Sequence, residues 1–237
     1  MSLAPSTVAA VRRYWADRLG CRPAAFERTG VTLAERPDGR TIRLLRRGNA
    51  TVVSAPEGRE DQLSSCRDRL AQRPLTDVDA VIQDALADGM VAHGPAVLGY
   101  VDTRAFSATH DRARLLGTDD EAVFEHFRER VPDHEWARAS PTFRPDRTAG
   151  LFRDGDLVAL ATLGDSPFAD VGVVVAPEWR NEGLGQEVVS CVVAAAFERD
   201  PSTVARYRTP ETESASLALA ASLGFKRWAS EVVVALE

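Results

Sequence analysis

Apolar residues at Val8, Val11, Trp15 and Leu19, with charged residues between them, fall on one face of a helix near the start of the chain. Thr41 to Arg46 and Thr51 to Ser54 flank a Gly48-Asn49 pair, a pattern that predicts a hairpin. Leu63, Cys66 and Leu70 then make one helical stripe, and Thr76 stands as N-cap to a second helix carrying Val78, Val81, Ile82 and Leu86. A strand, AVLGYVD, follows. Gly94, Pro95 and the polar run TRAFSATHDRAR on either side of it place a boundary near residues 95–117.

The second half opens on a capping-box pair, Thr118 and Glu121, ahead of a helix lined by Val123, Phe124, Phe127 and Val131 and ended by Pro132. PDHEWARASPTFRPDRT reads as irregular. AGLFRD and LVALATLG then meet at Gly155-Asp156 as a second hairpin. DVGVVVA has too few polar positions for a strand with one wet face, so it is expected at the centre of a sheet covered on both sides. A long helix from about Gly183 to Arg199, the short strand VARYRT, a helix from Glu213 to Ser222 and the closing strand RWASEVVVALE complete the chain. No internal repeat is visible.

Composition narrows the function. At 237 residues, 44% hydrophobic and 27% charged, the chain has material for one large domain or two small ones. A net charge of -6 argues against a dedicated nucleic-acid surface and turns attention to small molecules or proteins. Cys21, Cys66 and Cys191 share no metal-ligand spacing, and no metal site is expected. The first twenty residues lack the unbroken apolar core of a signal peptide, and no window approaches the roughly 18 apolar residues of a membrane span. The expected setting is the cytoplasm.

The most informative stretch is APEWRNEGLGQEVVSCVVAAAFERD, from Ala176 to Asp200. It joins the central strand to the long helix through Pro177, Arg180 and two glycines, Gly183 and Gly185. The first amides of a helix lack intrahelical partners and carry the positive pole of its dipole, so an anion is favoured there. Glycine admits the turn and a close approach by the backbone, while Arg180 adds a fixed charge. A tight connection with no ligand is the plainer alternative. Neither GxxxxGK[ST] nor GxGxxG is present, so a P-loop and a dinucleotide fingerprint are both excluded.

VVVAPEWRNEGLG resembles the acetyl-coenzyme A motif of the GNAT acyltransferase superfamily, and Leu223-Gly224-Phe225 after the last helix is similar to that family's helix ending. The likeness covers about residues 118–237 and is best from Val171 to Phe225. It implies an α+β fold, with a mixed, mainly antiparallel central sheet and flanking helices at 118–237, preceded at 1–100 by a smaller α/β domain of the kind some bacterial members carry. It also implies acetyl-coenzyme A as co-substrate, a pyrophosphate held by Arg180, Asn181, Glu182, Gly183, Leu184, Gly185 and Gln186, and a thioester arm paired with Val173, Val174 and Val175. The expected activity is N-acetylation of a small-molecule or peptide amine by direct attack in a ternary complex.

Two departures stand out. The family's usual proton-donating tyrosine corresponds to Ala220 here, and its helix-opening asparagine to Glu213, whereas Ser216 matches. Ser216, Tyr207 or water is then left to protonate the departing thiolate, although Tyr207 also reads as a sheet-packing aromatic and Ser216 as a cap. Asp170 is one candidate base, and His134 and Glu135 are others. The departures leave a second reading open, a coenzyme A-binding module without turnover.

Overall fold

The computed structural model describes residues 1–36, 41–65, 67–77, 80–81, 90–109, 112–165 and 167–236. In chain order the elements are α1 (Pro5–Leu19), β1 (Gly30–Arg36), β2 (Thr41–Arg47), β3 (Ala50–Pro56), α2 (Glu60–Ser64), α3 (Arg67–Gln72), β4 (Met90–Val101), β5 (Arg114–Leu115), α4 (Glu121–Glu129), α5 (Asp133–Ala139), β6 (Thr148–Arg153), β7 (Asp156–Leu163), β8 (Ala169–Val175), α6 (Leu184–Arg199), β9 (Ala205–Pro210), α7 (Ser214–Ser222) and β10 (Lys226–Leu236). This is the expected α+β class, mostly antiparallel sheet with flanking helices. Among the described residues no helix is long and apolar enough to cross a membrane.

The chain divides into two compact units, one of Pro5–Leu98, Thr209–Glu213 and Arg227–Glu237, the other of Met1–Ala4, Gly99–Arg208 and Ser214–Lys226. Most of the closing strand, grouped by sequence with the C-terminal domain, therefore clusters with the N-terminal elements. In that first unit the strand order is β1-β3-β2-β10, with the expected hairpin of β2 and β3 at its middle. β1 pairs parallel to β3 and went unread, because its seven residues are all half-buried and show no alternation. Ile42, Leu44, Val53, Leu63, Leu70 and Val232 form one core, and Trp15 stacks on Trp228 with ring centroids 6.3 Å apart. Leu63 and Leu70 sit on two short helices, α2 and α3, where the sequence predicted a single one. Cys66 and most of the helix predicted from Thr76 to Leu86 lie outside the described residues.

The second unit carries the site. Its strands run β9-β8-β7-β6-β5, so β8 is an interior strand, as a strand covered on both sides must be, but one place in from β9 and not at the middle. Val188, Val189, Val192 and Val193 of α6 cover one face, and Phe124, Phe127 and Trp136 of α4 and α5 cover the other. Burial on both faces explains why β8 is so apolar.

Three local expectations shift. The turn between β6 and β7 is Asp154-Gly155, both at positive φ (51° and 92°), not Gly155-Asp156, because an aspartate tolerates the left-handed region that hairpin turns require. Thr118 and Glu121 do not form the predicted box. A 3-10 turn over Thr118–Asp120 comes first, and the Gly117 amide donates to Asp120 Oδ2 at 2.8 Å. The stretch read as irregular contains α5, a helix of seven residues with Trp136 as its buried residue, too short and too singly anchored to show a period.

Candidate active site

β8 ends at Val175, and the chain passes through a 3-10 turn, Pro177–Trp179, before entering α6. Asn181 at φ 66° and Gly183 at φ 79° both take the left-handed conformation, which turns the backbone sharply into the helix. Gly183 is the N-cap and has no side chain to offer. The first amides hydrogen-bonded back to it belong to Gln186 and Glu187, so among the described residues the N–H groups of Leu184 and Gly185 have no protein acceptor.

The two glycines differ in purpose. A Cβ at Gly183 would meet nothing within 4 Å, so its requirement is the backbone angle. A Cβ at Gly185 would lie 3.0 Å from Leu219 Cδ1 and 3.4 Å from Val175 Cγ2, so its requirement is the close seating of α6 on β8 and α7. Arg180 is exposed, donates from Nε to the Val175 carbonyl at 3.3 Å, and forms an ion pair with Glu135 of α5. Sequence reasoning named both residues, but for unrelated roles.

Alongside, β8 and β9 part company. Their parallel pairing covers Ala169↔Ala205 and Asp170↔Arg206 and ends there, while β8 stays paired with β7 as far as Val175. The Ala169 amide donates across to the Val204 carbonyl. By strand alternation the backbone groups of Val173 and Val175 face the same gap, whereas those of Val174 face β7. Val173 and Val175 thus present an edge with no strand against it.

Tyr207 and Ser216, two of the three candidate catalytic residues, are brought together. Tyr207 is buried, and burial pushes its phenol up to about 12 against the downward pull of its hydrogen bond with Ser216. Its ring also packs edge-on against Phe225, so the sheet-packing role is present too. Ala220 is buried in the same core. Beyond it, Gly224 at φ 91° would place a Cβ 2.0 Å from the Ala105 carbonyl, and the Phe225 amide donates to Ala220 O at 3.0 Å. The Leu-Gly-Phe signature is a helix stop that glycine alone fits.

Asp170, the third candidate, grips Arg206 with both oxygens, Nε to Oδ1 and Nη2 to Oδ2 each at 2.5 Å. It opens onto a cavity of about 340 Å³ whose walls include Arg138, Arg144, Arg206 and Arg208. None of these arginines was singled out, although the alternation in Ala-Arg-Tyr-Arg already puts Arg206 and Arg208 on the face opposite Tyr207. His134 is exposed on the first turn of α5.

The model of the Acetyltransferase (GNAT) family matches residues 113–225. Those residues form a GNAT acetyltransferase domain. The GNAT domain thus contains the glycine loop, the parted strands and the arginine cavity. Among solved structures the chain is similar to a GCN5-related N-acetyltransferase from Kribbella flavida (20% identity, 67% of this chain and 63% of that one, TM-score 0.49). It is similar also to a GNAT-family acetyltransferase from Colwellia psychrerythraea (16%, 68% and 62%, TM-score 0.47). A GCN5-related N-acetyltransferase-like protein from Streptococcus suis aligns over more of the chain (14%, 94% and 98%, TM-score 0.48). The chain spans less than two thirds of the Kribbella and Colwellia proteins. No curated protein matches it in sequence.

Proposed function

We propose that the protein is an acyl-coenzyme A dependent N-acetyltransferase acting on the amine of a small molecule or peptide. The observation that carries this reading is the juxtaposition of the Leu184 and Gly185 amides, without protein partners at the mouth of a 16-residue helix, and the β8 edge at Val173 and Val175, where no strand pairs and only the Val175 carbonyl is used, by Arg180 Nε. A pyrophosphate fits the first and an amide-bearing arm the second, so the residues present suit acetyl-coenzyme A. Arg180, Asn181, Glu182, Gly183 and Gln186 complete the loop around the phosphates.

When bound, the coenzyme supplies an activated acyl thioester. The Val173 amide, which by alternation faces the gap beyond the last β8–β9 pair, would polarise its carbonyl, as preorganised backbone donors do for developing oxyanions. Acyl transfer to an amine would form the N–C bond and break the C–S bond, with the proton lost by the amine nitrogen passed through water to the sulfur. Ser216, oriented by Tyr207, offers the departing sulfur a hydroxyl hydrogen bond in place of the tyrosine absent at Ala220. Tyr207, at about 12, holds its own proton too tightly to be the main acid against a thiol near 8.5. Asp170, clamped by Arg206, positions that arginine and is not a free base.

Calorimetry with acetyl-coenzyme A and thiol release against a panel of amines test the reading together. Binding that weakens at least about tenfold in Arg180→Ala/Gly183→Val, with acceptor-dependent thiol release, is the expected result. Absence of binding sinks the reading. Tight binding with no release from any acceptor would favour the coenzyme A-binding module that the alanine at 220 motivates.

A further inference from the structure

We propose that Arg112 is a positioning residue for the phosphates of the coenzyme, acting through Glu187 in the first turn of α6. The inference rests on the acetyltransferase reading above and adds a residue to the mouth which that reading assigns to the pyrophosphate. Glu187 is a buried carboxylate, 2% exposed, one turn into the helix whose first amides are those of Leu184 and Gly185. Arg112 grips it with two nitrogens, Nε to Oε2 at 2.9 Å and Nη2 to Oε1, while the arginine side chain stays half-exposed. The proposed chemistry makes no use of this pair.

α6 is covered along two stripes, which is why a carboxylate on it is buried at all. Val188, Val189, Val192 and Val193 pack in the core of the unit, whereas Glu187, Ser190 and Phe197 fall on a separate stripe at helical spacing. The segment ahead of β5 covers that second stripe. Phe106 meets Phe197 edge-on with ring centroids 5.3 Å apart, the Thr109 amide donates to Ser190 Oγ at 2.9 Å, and Arg112 reaches Glu187. As the segment advances from 106 to 112, its contacts step back along α6 from the last turn to the first. It therefore runs antiparallel to the helix and ends by setting a guanidinium on the first turn. Arg112 precedes the GNAT domain at 113–225 by one residue, so this cation comes from outside the domain that holds the amides.

A charge at this position acts on an anion at the mouth. Each residue of a helix rises about 1.5 Å and its side chains lean towards the N-terminus, so the Glu187 carboxylate lies within about one turn of the Leu184 and Gly185 amides. Unpaired, it would set a negative charge against an incoming pyrophosphate, with little water between them to screen it. Paired, its charge is cancelled, and the helix dipole and the amides act on the phosphates unopposed. Burial decides which partner matters: Arg112 can return to water when the pair breaks, whereas Glu187 cannot. Arg112 thus acts on binding through the carboxylate it neutralises.

Calorimetry with coenzyme A on the full chain is the test. Arg112→Ala is expected to weaken binding at least about tenfold, and Arg112→Lys, which keeps the charge, to stay within about threefold of the unaltered protein. Glu187→Gln alone should tighten binding by about threefold, since it leaves a positive charge without its carboxylate. The deciding variant is Arg112→Ala/Glu187→Gln. With both charges gone, Kd should return to within about threefold of the unaltered protein. A purely structural clamp gives the opposite, because the double variant lacks the clamp altogether, so a double variant as weak as Arg112→Ala overturns the proposal. Should Arg112→Ala fail to fold, Glu187→Gln decides: unchanged or weaker binding there overturns the proposal too. Coenzyme binding in the unaltered protein that none of these variants disturbs removes the role of Arg112 and leaves the acetyltransferase standing. Absence of binding in the unaltered protein removes both.

Discussion

At its C-terminal end β8 leads into backbone amides presented by a glycine turn, whereas at its N-terminal end it borders a cavity walled by guanidinium groups. On the proposed function the first end would recognise its ligand through the main chain, which every sequence possesses and which needs only the right φ angles and a clear approach. The second offers side chains gathered from α5, β9 and the segment after α5. Main-chain recognition constrains sequence at fixed local spacings, so it can stay recognisable while the rest of a chain changes. Side-chain recognition is set by three-dimensional convergence and can be retuned one residue at a time. On this comparison the glycine-turn end, to which the proposed function assigns the coenzyme, is the generic part of the protein and the arginine-lined end the individual part.

The comparison can be strained most severely with glycine. Gly172 and Gly185 lie on opposite sides of the β8–α6 connection, yet a Cβ means different things at each. At Gly172 it would stand 2.6 Å from the Ala139 backbone carbonyl and 3.0 Å from Thr162 Oγ1, so α5 must move off the sheet. Gly172→Ala should cost about 3 kcal/mol in urea unfolding, the upper part of the range for overpacking, and depress acceptor turnover before coenzyme binding. Gly185→Ala meets the end of a flexible leucine at 3.0 Å, and alanine gains helix propensity there, so its net change should stay within about 1 kcal/mol. Equal costs at the two sites would show that the ends are not separately constructed.

The same contrast explains what could be read before the fold was known. Pro177, Gly183 and Gly185 before a valine-rich helix, and Gly224 with Leu223 and Phe225 after one, are demands of backbone geometry and therefore appear as motifs. Arg138 and Arg208 are seventy residues apart, and nothing in their spacing announces a shared cavity. α5 was invisible for a related reason: with Trp136 as its buried side chain it has no periodicity to detect, although it carries both Glu135 and Arg138. Asp154 took the turn position expected of its neighbour because both residues tolerate a positive φ, a choice that composition leaves open. Asp170 was legible as a strand-start carboxylate, but its partner, Arg206, emerges only when β9 is laid beside it.

β9 divides the two chemistries across its own thickness, with Tyr207 on the α6–α7 face and Arg206 and Arg208 on the other. Tyr207 gives a pH signature that the arginines do not. Its phenol titrates near 10 in the unfolded chain and at about 12 in the folded one, so between those values the unfolded state loses its proton first. The associated stability is fully present below pH 10 and disappears as pH rises towards 12, by about 2 kcal/mol. Urea unfolding of the unaltered protein and Tyr207→Phe at pH 9 and pH 11.5 should show this extra alkaline loss only where the phenol is present. Parallel curves would mean that the ring is wetter than its burial indicates, and the orienting role for Ser216 would fall with it.

The smallest effect bears on whether the two ends are independent. α5 touches both: Glu135 in its first turn pairs with Arg180 of the coenzyme loop, and Arg138 in its last turn lines the cavity. The pair is partly exposed, with side chains 39% and 27% accessible, so it contributes at most about 1 kcal/mol to folding. Its influence on binding has a definite sign, because a carboxylate held on Arg180 opposes the use of that guanidinium by an incoming phosphate. Glu135→Gln should therefore tighten coenzyme A by up to about fivefold in calorimetry, the equivalent of about 1 kcal/mol, with Tm nearly unchanged. Turnover with a saturating acceptor should hold. If it instead collapses while the coenzyme binds as before, Glu135 is the base that the sequence also allowed, and α5 joins the two ends through chemistry as well as through packing.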